Sequence, residues 1–388
     1  MSTDNDSTDQ ITLLLRDLFE INAAYYRGNE LVFGLTHRSL NRSKAHKAIS
    51  SRLKTAGYRF TLETTEAGTL LRIDPKPRLR IPPLNIILFV ATLFSIYVVP
   101  VFLRNLNAAA YYIAMQLQNG GTVAIDEGSL LLKAFPLAVD GTGQDLSKGV
   151  GVEFALALMS ILLVHEMGHF IAGRRRHIIT SWPYFIPAPN IIGTFGAIIK
   201  SRSPFHNRRD LIEVGAAGPL AGWVVAVFWL IYGLAESSFQ PLGTFGIKDL
   251  PFALEGESIL MRVVTQALIG NAPEGQMYLL SEAAFAGWVG LLVTAINLLP
   301  IGQLDGGHIL YGLTRRHQHW LGMLAMGSLF VLGFQSPMWW VFAVFGLVFR
   351  VKHPPTLDDQ QPLSRAALLA GIASIVILVI SFTPIPFR

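Results

Sequence analysis

The chain has 388 residues and no cysteine. That absence excludes disulfides, thiolate zinc sites and thiol nucleophiles, and it leaves histidine and carboxylate as the strong metal ligands available. Charge is scarce as well. Only 15% of residues are charged, against about a quarter in soluble domains, while 51% are hydrophobic and the mean hydropathy is +0.44. The first ten residues, MSTDNDSTDQ, lack the basic stretch and the apolar stretch of a secretory signal and the arginines of a transit peptide, so no cleaved leader is expected. The net charge of +5 does not read as a nucleic-acid footprint, because lysine and arginine gather at the ends of apolar runs. No internal repeat is visible, which weakens an inverted-repeat transporter reading.

What is present is apolar length. Seven segments approach or exceed the roughly 20 residues needed to cross a bilayer: 83–104, 150–173, 211–234, 279–300, 319–334, 336–350 and 364–384. The fifth and sixth are short and fit a tilted hairpin. Two more apolar pieces, 106–117 and 128–138, read as interfacial or partly inserted, and 258–270 reads as an amphipathic surface helix. The expected fold class is therefore a polytopic α-helical membrane protein of about seven spans.

Basic residues set an orientation. Lys76, Arg78 and Arg80 precede the first span and Arg174, Arg175 and Arg176 follow the second. Lys200, Arg202, Arg208 and Arg209 precede the third, Arg315 and Arg316 follow the fourth, and Arg350 and Lys352 follow the sixth. The opposite loop 236–257 sets Lys248 against Glu236, Asp249, Glu255 and Glu257. The N-terminal region is then expected in the cytoplasm and the C-terminus outside.

Residues 1–80 read as a small soluble α+β domain. ITLLLRDLFEINAAYY has helical spacing, ELVFGLTH is strand-like, and RSKAHKAISSRLKTAGY is a polar helix capped near Gly57. YRFTLETTEAGTLLRI gives two strands about a turn at Glu66-Ala67-Gly68, and PKPRLRIPP is a stiff basic linker. That order fits a ferredoxin-like arrangement. The remaining divisions are 81–149 (first span and extracytoplasmic interfacial pieces), 150–316 (a core) and 317–388 (C-terminal spans).

Chemistry is concentrated in LLVHEMGHFIAGRRRH, residues 162–177. His165 and His169 are one helical turn apart, so one face presents two imidazoles to one ion, and Glu166 stands beside the first. This is the H-E-x-x-H pattern of zinc hydrolases, in which the metal lowers the pKa of a bound water and the carboxylate takes its remaining proton. An Asp, Lys or Arg at membrane depth costs about 2.5–3.5 kcal/mol on the insertion scale, and ionisable residues there are functional by default. A catalytic zinc needs a third protein ligand. Asp305 in INLLPIGQLDGGHIL is the leading candidate, at the cytoplasmic end of the fourth span, and His308 competes for the role. Pro300, Gly302, Gly306 and Gly307 are expected to break the helix there, and non-helical backbone at that depth lines a cavity or is buried in protein.

HEMGH followed by NLLPIGQLDGGH resembles the site-2 protease family of intramembrane zinc metalloproteases, peptidase family M50, and 150–316 resembles its three-helix catalytic core. GAAGPLAGW (215–223) resembles the small-residue motif of the middle core helix. The N-terminal α+β piece and GTFGAIIK are similar to bacterial and plastid-type members, and no segment is assigned to a PDZ or CBS domain. The resemblance implies a zinc ion on His165, His169 and Asp305, with Glu166 as base and acid. It also implies a substrate- or oxyanion-holding role for Asn297, for which an interhelical hydrogen bond is the alternative.

SWPYFIPAPNIIGTFGAIIKSRSPF, between the second and third spans, is too broken by proline and glycine to span. It reads as an extended segment that dips towards the site, where Gly193, Phe195, Gly196 and Ala197 are candidates to hold an unwound substrate by strand addition, with an amphipathic interfacial loop as the alternative. His177 and His206 read as solvated or facing headgroups, as do His317 and His319. Trp182, Trp320, Trp339 and Trp340 read as interfacial anchors. Glu153 lies twelve residues before His165, roughly 18 Å along a helix, too far to join the metal.

The expected activity is peptide-bond hydrolysis in transmembrane or membrane-tethered protein substrates near the cytoplasmic side of an inner cell membrane. By resemblance it serves regulated intramembrane proteolysis. The expected partners are such a substrate and the lipid bilayer, without nucleic acid. The competing reading is a non-hydrolytic membrane metal-binding protein or metal transporter, which explains the histidines and Asp305 but gives Glu166 nothing to do.

Overall fold

The computed structural model describes residues 3–27, 30–37, 42–65, 68–74, 81–119, 127–176, 178, 180–201, 204–241, 256–348, 351 and 353–386. Lys76, Arg78, Arg80, Arg202, Arg350, Lys352, Lys248, Asp249, Glu255, His177 and the Glu66-Ala67 part of the expected turn lie outside them.

The N-terminal region is α+β: α1 (Thr3–Leu15), β1 (Phe19–Arg27), β2 (Glu30–His37), α2 (Arg42–Ala56), β3 (Phe60–Thr65) and β4 (Gly68–Ile73). The strands form one antiparallel sheet in the order β1-β2-β4-β3. One stretch departs from the sequence reading. The helix expected through ITLLLRDLFEINAAYY stops at Leu15, and Phe19 onward is a strand. Apolar Ile11, Leu14 and Leu15 suit one helical face, whereas the β-prone residues after Leu18 pair with β2 from Phe19↔His37 to Arg27↔Glu30. Gly57 does end α2. Its φ of 84° suits glycine, and the Gly57 and Tyr58 N–H groups reach back to the Lys54 and Leu53 carbonyls.

The rest is mostly helical. Three helices are long and apolar enough to cross a membrane: α3 (Pro83–Asn119), α5 (Val152–Arg175) and α6 (Arg208–Glu236). Shorter ones are α4 (Glu127–Ser147), α7 (Ile259–Leu268), α8 (Glu282–Asn297), α9 (Asp305–Thr314), α10 (His317–Leu332), α11 (Met338–Val348) and α12 (Arg365–Ser381). Apolar side chains such as Leu132, Phe94 and Leu369 stand 65–78% exposed on their outer faces. Such surface suits lipid tails and not water, and the protein is a membrane protein. Residues 106–117, expected as a separate interfacial piece, instead continue α3, a helix of 37 residues that carries Pro100 internally.

Two small hairpins complete the described structure: β5 (Tyr184–Pro187) with β6 (Thr194–Ile198), and β7 (Ser238–Pro241) with β8 (Gln276–Leu279). The first is the expected extended segment. It hangs on α3, where Asn85 Nδ2 donates to the Trp182 and Pro183 carbonyls and Ser95 Oγ to that of Ala188.

Helices α5, α6 and α8 pack as the centre of the membrane core. Their contacts are made through glycine. A Cβ on Gly168 of α5 would stand 2.5 Å from the Ala217 carbonyl oxygen of α6, and one on Gly287 of α8 would stand 2.5 Å from the Leu230 nitrogen. Backbones come this near only where side chains are missing. Trp339, expected at an interface, is fully buried instead and donates its indole N–H to the Pro384 carbonyl; Trp320 is 73% exposed.

Candidate metal centre

Helix α5 forms because LALMSILL and its neighbours are strong helix formers with an apolar surround. Its start is fixed by Glu282, whose carboxylate accepts the Gly151 N–H at 2.8 Å, and its last turn carries Arg174 and Arg175 at the negative end of the dipole. That frame sets His165, Glu166 and His169, all buried, on the inner side of the helix.

The third group arrives from α9. Asn297 ends α8, the chain turns through Pro300 and Gly302, and Leu304 caps a new helix that begins at Asp305. The expected break is therefore at Pro300–Gly302. Gly306 and Gly307 are helical. A Cβ on Gly306 would overlap the Leu298 carbonyl and one on Gly307 the Gly302 carbonyl, so these glycines let α9 fold back tightly on the turn.

The fold brings His165 Nε2, His169 Nε2 and an Asp305 oxygen together. The two nitrogens are 3.2 Å apart, and Asp305 Oδ2 stands 3.4 Å from His165 and 3.2 Å from His169. Tetrahedral zinc with nitrogen and oxygen bonds of about 2.0–2.1 Å sets its ligands roughly 3.3 Å apart. The spacing matches. The donor chemistry matches too. His169 Nδ1 gives its hydrogen to the Val214 carbonyl at 2.8 Å, so the neutral ring presents a lone pair at Nε2. Lone pairs on imidazole nitrogen and carboxylate converge on one point, an arrangement that a cation stabilises.

Of the remaining candidates, Glu166 is adjacent and 6% exposed. Asn297 Nδ2 stands 3.4 Å from His165 Nε2. His308 does not join the ligand triad; its Nδ1 faces His353. Among the described residues, no hydrogen bond or ion pair ties Gly193, Phe195, Gly196 or Ala197 to the triad. These residues lie on the β5–β6 hairpin, Phe195 is 73% exposed, and Gly193 at φ 75° sits against the α3 backbone at Ser95 and Ile96. His206 is not solvated as expected; it is buried, 3.5 Å from Asp210.

Sequence reasoning missed Val214, which orients His169, and the particular work of two glycines in the small-residue stretch. A Cβ on Gly218 would overlap the His169 ring, and one on Gly222 would stand 3.0 Å from His165 Nδ1. The signal was the 215, 218, 222 spacing, one helical face made of glycine.

Residues 153–332 match the model of peptidase family M50. The chain is 32% identical over 234 residues to a probable chloroplastic zinc metalloprotease EGY1 of Oryza sativa subsp. japonica, covering 60% of this chain and 40% of that protein. It is 32% identical over 268 residues to the corresponding EGY2 of Oryza sativa subsp. indica, covering 67% and 48%. To EGY1 of Arabidopsis thaliana it is 33% identical over 238 residues, covering 60% and 42%. The chain thus spans less than half the length of these curated relatives. No solved structure matches.

Proposed function

Taking residues 153–332 as a peptidase family M50 domain, we propose that the protein is an intramembrane zinc endopeptidase that cuts transmembrane or membrane-tethered proteins near the cytoplasmic side. The observation that carries this reading is the triad of His165, His169 and Asp305 at 3.2–3.4 Å with Glu166 beside it. A metal transporter or scaffold would use the triad but gives no role to a buried carboxylate outside it. The relatives named above are probable zinc metalloproteases, which agrees with hydrolysis.

His165, His169 and Asp305 would hold the ion, which when bound supplies Lewis acidity towards a carbonyl oxygen and makes water nucleophilic near neutral pH. Glu166 accepts the proton released as water attacks and returns it to the leaving amine. Burial keeps competing water from that proton. Val214 holds the His169 ring in the tautomer that leaves Nε2 bare. Asn297, within reach of His165, donates an N–H where a peptide oxygen would lie. The β5–β6 hairpin, with an open strand edge, holds the substrate segment once it has unwound, and Gly193, Phe195, Gly196 and Ala197 are the contact residues.

The same reading extends to architecture. The shorter helices α8, α10, α11 and α12 join the three long ones as about seven spans, in an inner cell membrane with the N-terminal domain cytoplasmic. The division is 1–80, 81–149, 150–316 and 317–388. Strand order β1-β2-β4-β3 with both helices preceding hairpins is a circular permutation of the ferredoxin-like order, and this supports that assignment.

The test uses purified protein in lipid with a panel of single-span substrates. Wild type cleaves, and Glu166→Gln loses about 10²–10⁴-fold in rate while keeping its zinc. Equal cleavage by the variant would overturn the Glu166 assignment. Orientation is testable because the chain lacks cysteine. A single Lys54→Cys on α2 is expected to react with an impermeant maleimide only from the cytoplasmic side.

A further inference from the structure

His353 lies beyond the family match, in the connection between α11 and α12, and is 4% exposed. Its surroundings hold it firmly. The ring stacks on Tyr311 of α9 with centroids 4.7 Å apart, and its backbone N–H donates to Gln318 Oε1 of α10 at 3.1 Å. Further along the same connection, Asp359 accepts from the Tyr311 hydroxyl and from Thr356 Oγ1, both at 2.6 Å, and Arg208 of α6 donates to the Asp359 and Gln361 carbonyls. The Leu357 and Asp358 N–H groups donate to the Phe205 and His206 carbonyls. The connection is a strap laid across the ends of α6, α9 and α10.

The strap's histidine dictates the proton positions of a second one. His353 Nδ1 is 2.5 Å from the Pro354 carbonyl oxygen, which can only accept, so the hydrogen is on Nδ1. Burial pushes the His353 imidazole below its usual range, against the opposing pull of the Pro354 carbonyl and Asp359. The ring is therefore neutral and its Nε2 carries a lone pair. That Nε2 lies 2.6 Å from His308 Nδ1, which must donate. With its hydrogen on Nδ1, a neutral His308 has Nε2 as an acceptor on the side of the ring away from the strap.

His308 stands one turn after Asp305, on the same side of α9. Its Cβ is 3.2 Å from where a Cβ on Gly215 would sit, and Gly215 follows Val214, the anchor of His169. The Asp305 carbonyl oxygen lies 3.5 Å from the same Cβ position on Gly215. We propose that His353 is a positioning residue that fixes His308 as the Nδ1–H tautomer, so that His308 Nε2 accepts a hydrogen bond from a backbone N–H of the substrate bound at the metal centre. The tautomer follows from the two short contacts together with the burial that keeps His353 neutral; the substrate contact rests on the endopeptidase reading.

The experiment uses the full chain in lipid with ¹⁵N-labelled histidine, in wild type, His353→Gln and His353→Leu, with His308→Gln for assignment. Zinc content equal to wild type is the folding control. Glutamine places an oxygen near the position of Nε2 and preserves the acceptor; leucine does not. In wild type and His353→Gln the His308 signals are expected to show hydrogen on Nδ1 and a bare Nε2, and His353→Leu is expected to show mixed tautomers. Leucine is expected to lower kcat/KM about tenfold, with glutamine restoring most of it. A wild-type His308 with its hydrogen on Nε2, or an unchanged tautomer in His353→Leu, overturns the positioning role. A changed tautomer at an unchanged rate overturns the substrate contact. The expected tautomers in a protein that cleaves nothing would leave the His353 assignment standing and sink the endopeptidase reading.

Discussion

The molecule has two cores that differ in what lets their elements approach. In the N-terminal domain the fully buried side chains are large: Phe19, Phe33, Ile11, Leu15, Leu31, Leu35, Ile49, Leu53, Leu71 and Ile73. Removing apolar surface of that kind from water is worth about 25 cal/mol per Å². In the membrane core, which also buries Trp288 and Trp339 completely, the close approaches are made at Gly168, Gly215, Gly218, Gly222 and Gly287, whose missing side chains let helices and, at Gly218 and Gly222, imidazole rings touch. Lipid tails are as apolar as leucine, so burial gains little in a bilayer, and close packing with hydrogen bonds replaces it. The lesson is that one kind of substitution should have opposite consequences in the two cores. Adding a methyl is ruinous in one, and deleting a side chain in the other.

The largest effect expected comes from the smallest addition. Gly218→Ala puts a methyl group where the His169 ring lies, and the ring cannot both keep Val214 and face Asp305. Loss of stoichiometric zinc is expected, read by metal analysis of the purified protein, with the N-terminal domain still resistant to protease. A zinc-replete Gly218→Ala would break the comparison at its strongest point.

The opposite manipulation is Phe33→Ala, which hollows the water-built core and is expected to cost about 3–5 kcal/mol there. Protease should cut residues 3–74 in the variant, while zinc stays bound in the membrane core. Loss of zinc in step with the N-terminal domain would show the two cores to be one cooperative unit. An intermediate effect is expected at Arg52, which pairs with Asp17 at 2.6 Å and also donates to the Leu14 carbonyl at 2.9 Å. Arg52→Met removes charge-assisted hydrogen bonds between α2 and the end of α1, worth about 1.5–3 kcal/mol. Hydrogen exchange of α1 is the readout.

How much of this was legible depends on range. Local signals came through: the H-E-x-x-H spacing, the Gly57 cap, the extended β5–β6 segment, and the break after Asn297. Asp305 was singled out because it ends the fourth apolar run at the depth expected for His165 and His169, and the fold does bring the three side chains together. Contacts that have no local grammar were not legible. Nothing in Val214 announces a carbonyl aimed at His169, and Trp339 reads as an interfacial anchor until Pro384 is seen to take its N–H. The error at β1 has the same origin. EINAAYY suits a helix by period and a strand by composition, and only the partner β2 decides between them. His206 was misread because a histidine in a basic loop looks solvated, while Asp210, one turn on, gives it a buried neighbour.

The smallest effect expected is at Leu369 of α12, 67% exposed on the outer face of the membrane region. In a water-facing domain, a leucine of the inner face such as Leu71, fully buried, loses about 2–5 kcal/mol on truncation to alanine. Leu369→Ala exchanges contact with lipid for contact with lipid, and its stability in bilayers is expected to stay within about 0.5 kcal/mol of wild type. The same pair of variants compared in detergent and in lipid sharpens the argument, because Leu71→Ala should be indifferent to the change of amphiphile. A large loss at Leu369 would mean that this face is not bathed in lipid but covered by protein, and the boundary of the membrane core would then have to be drawn outside this chain.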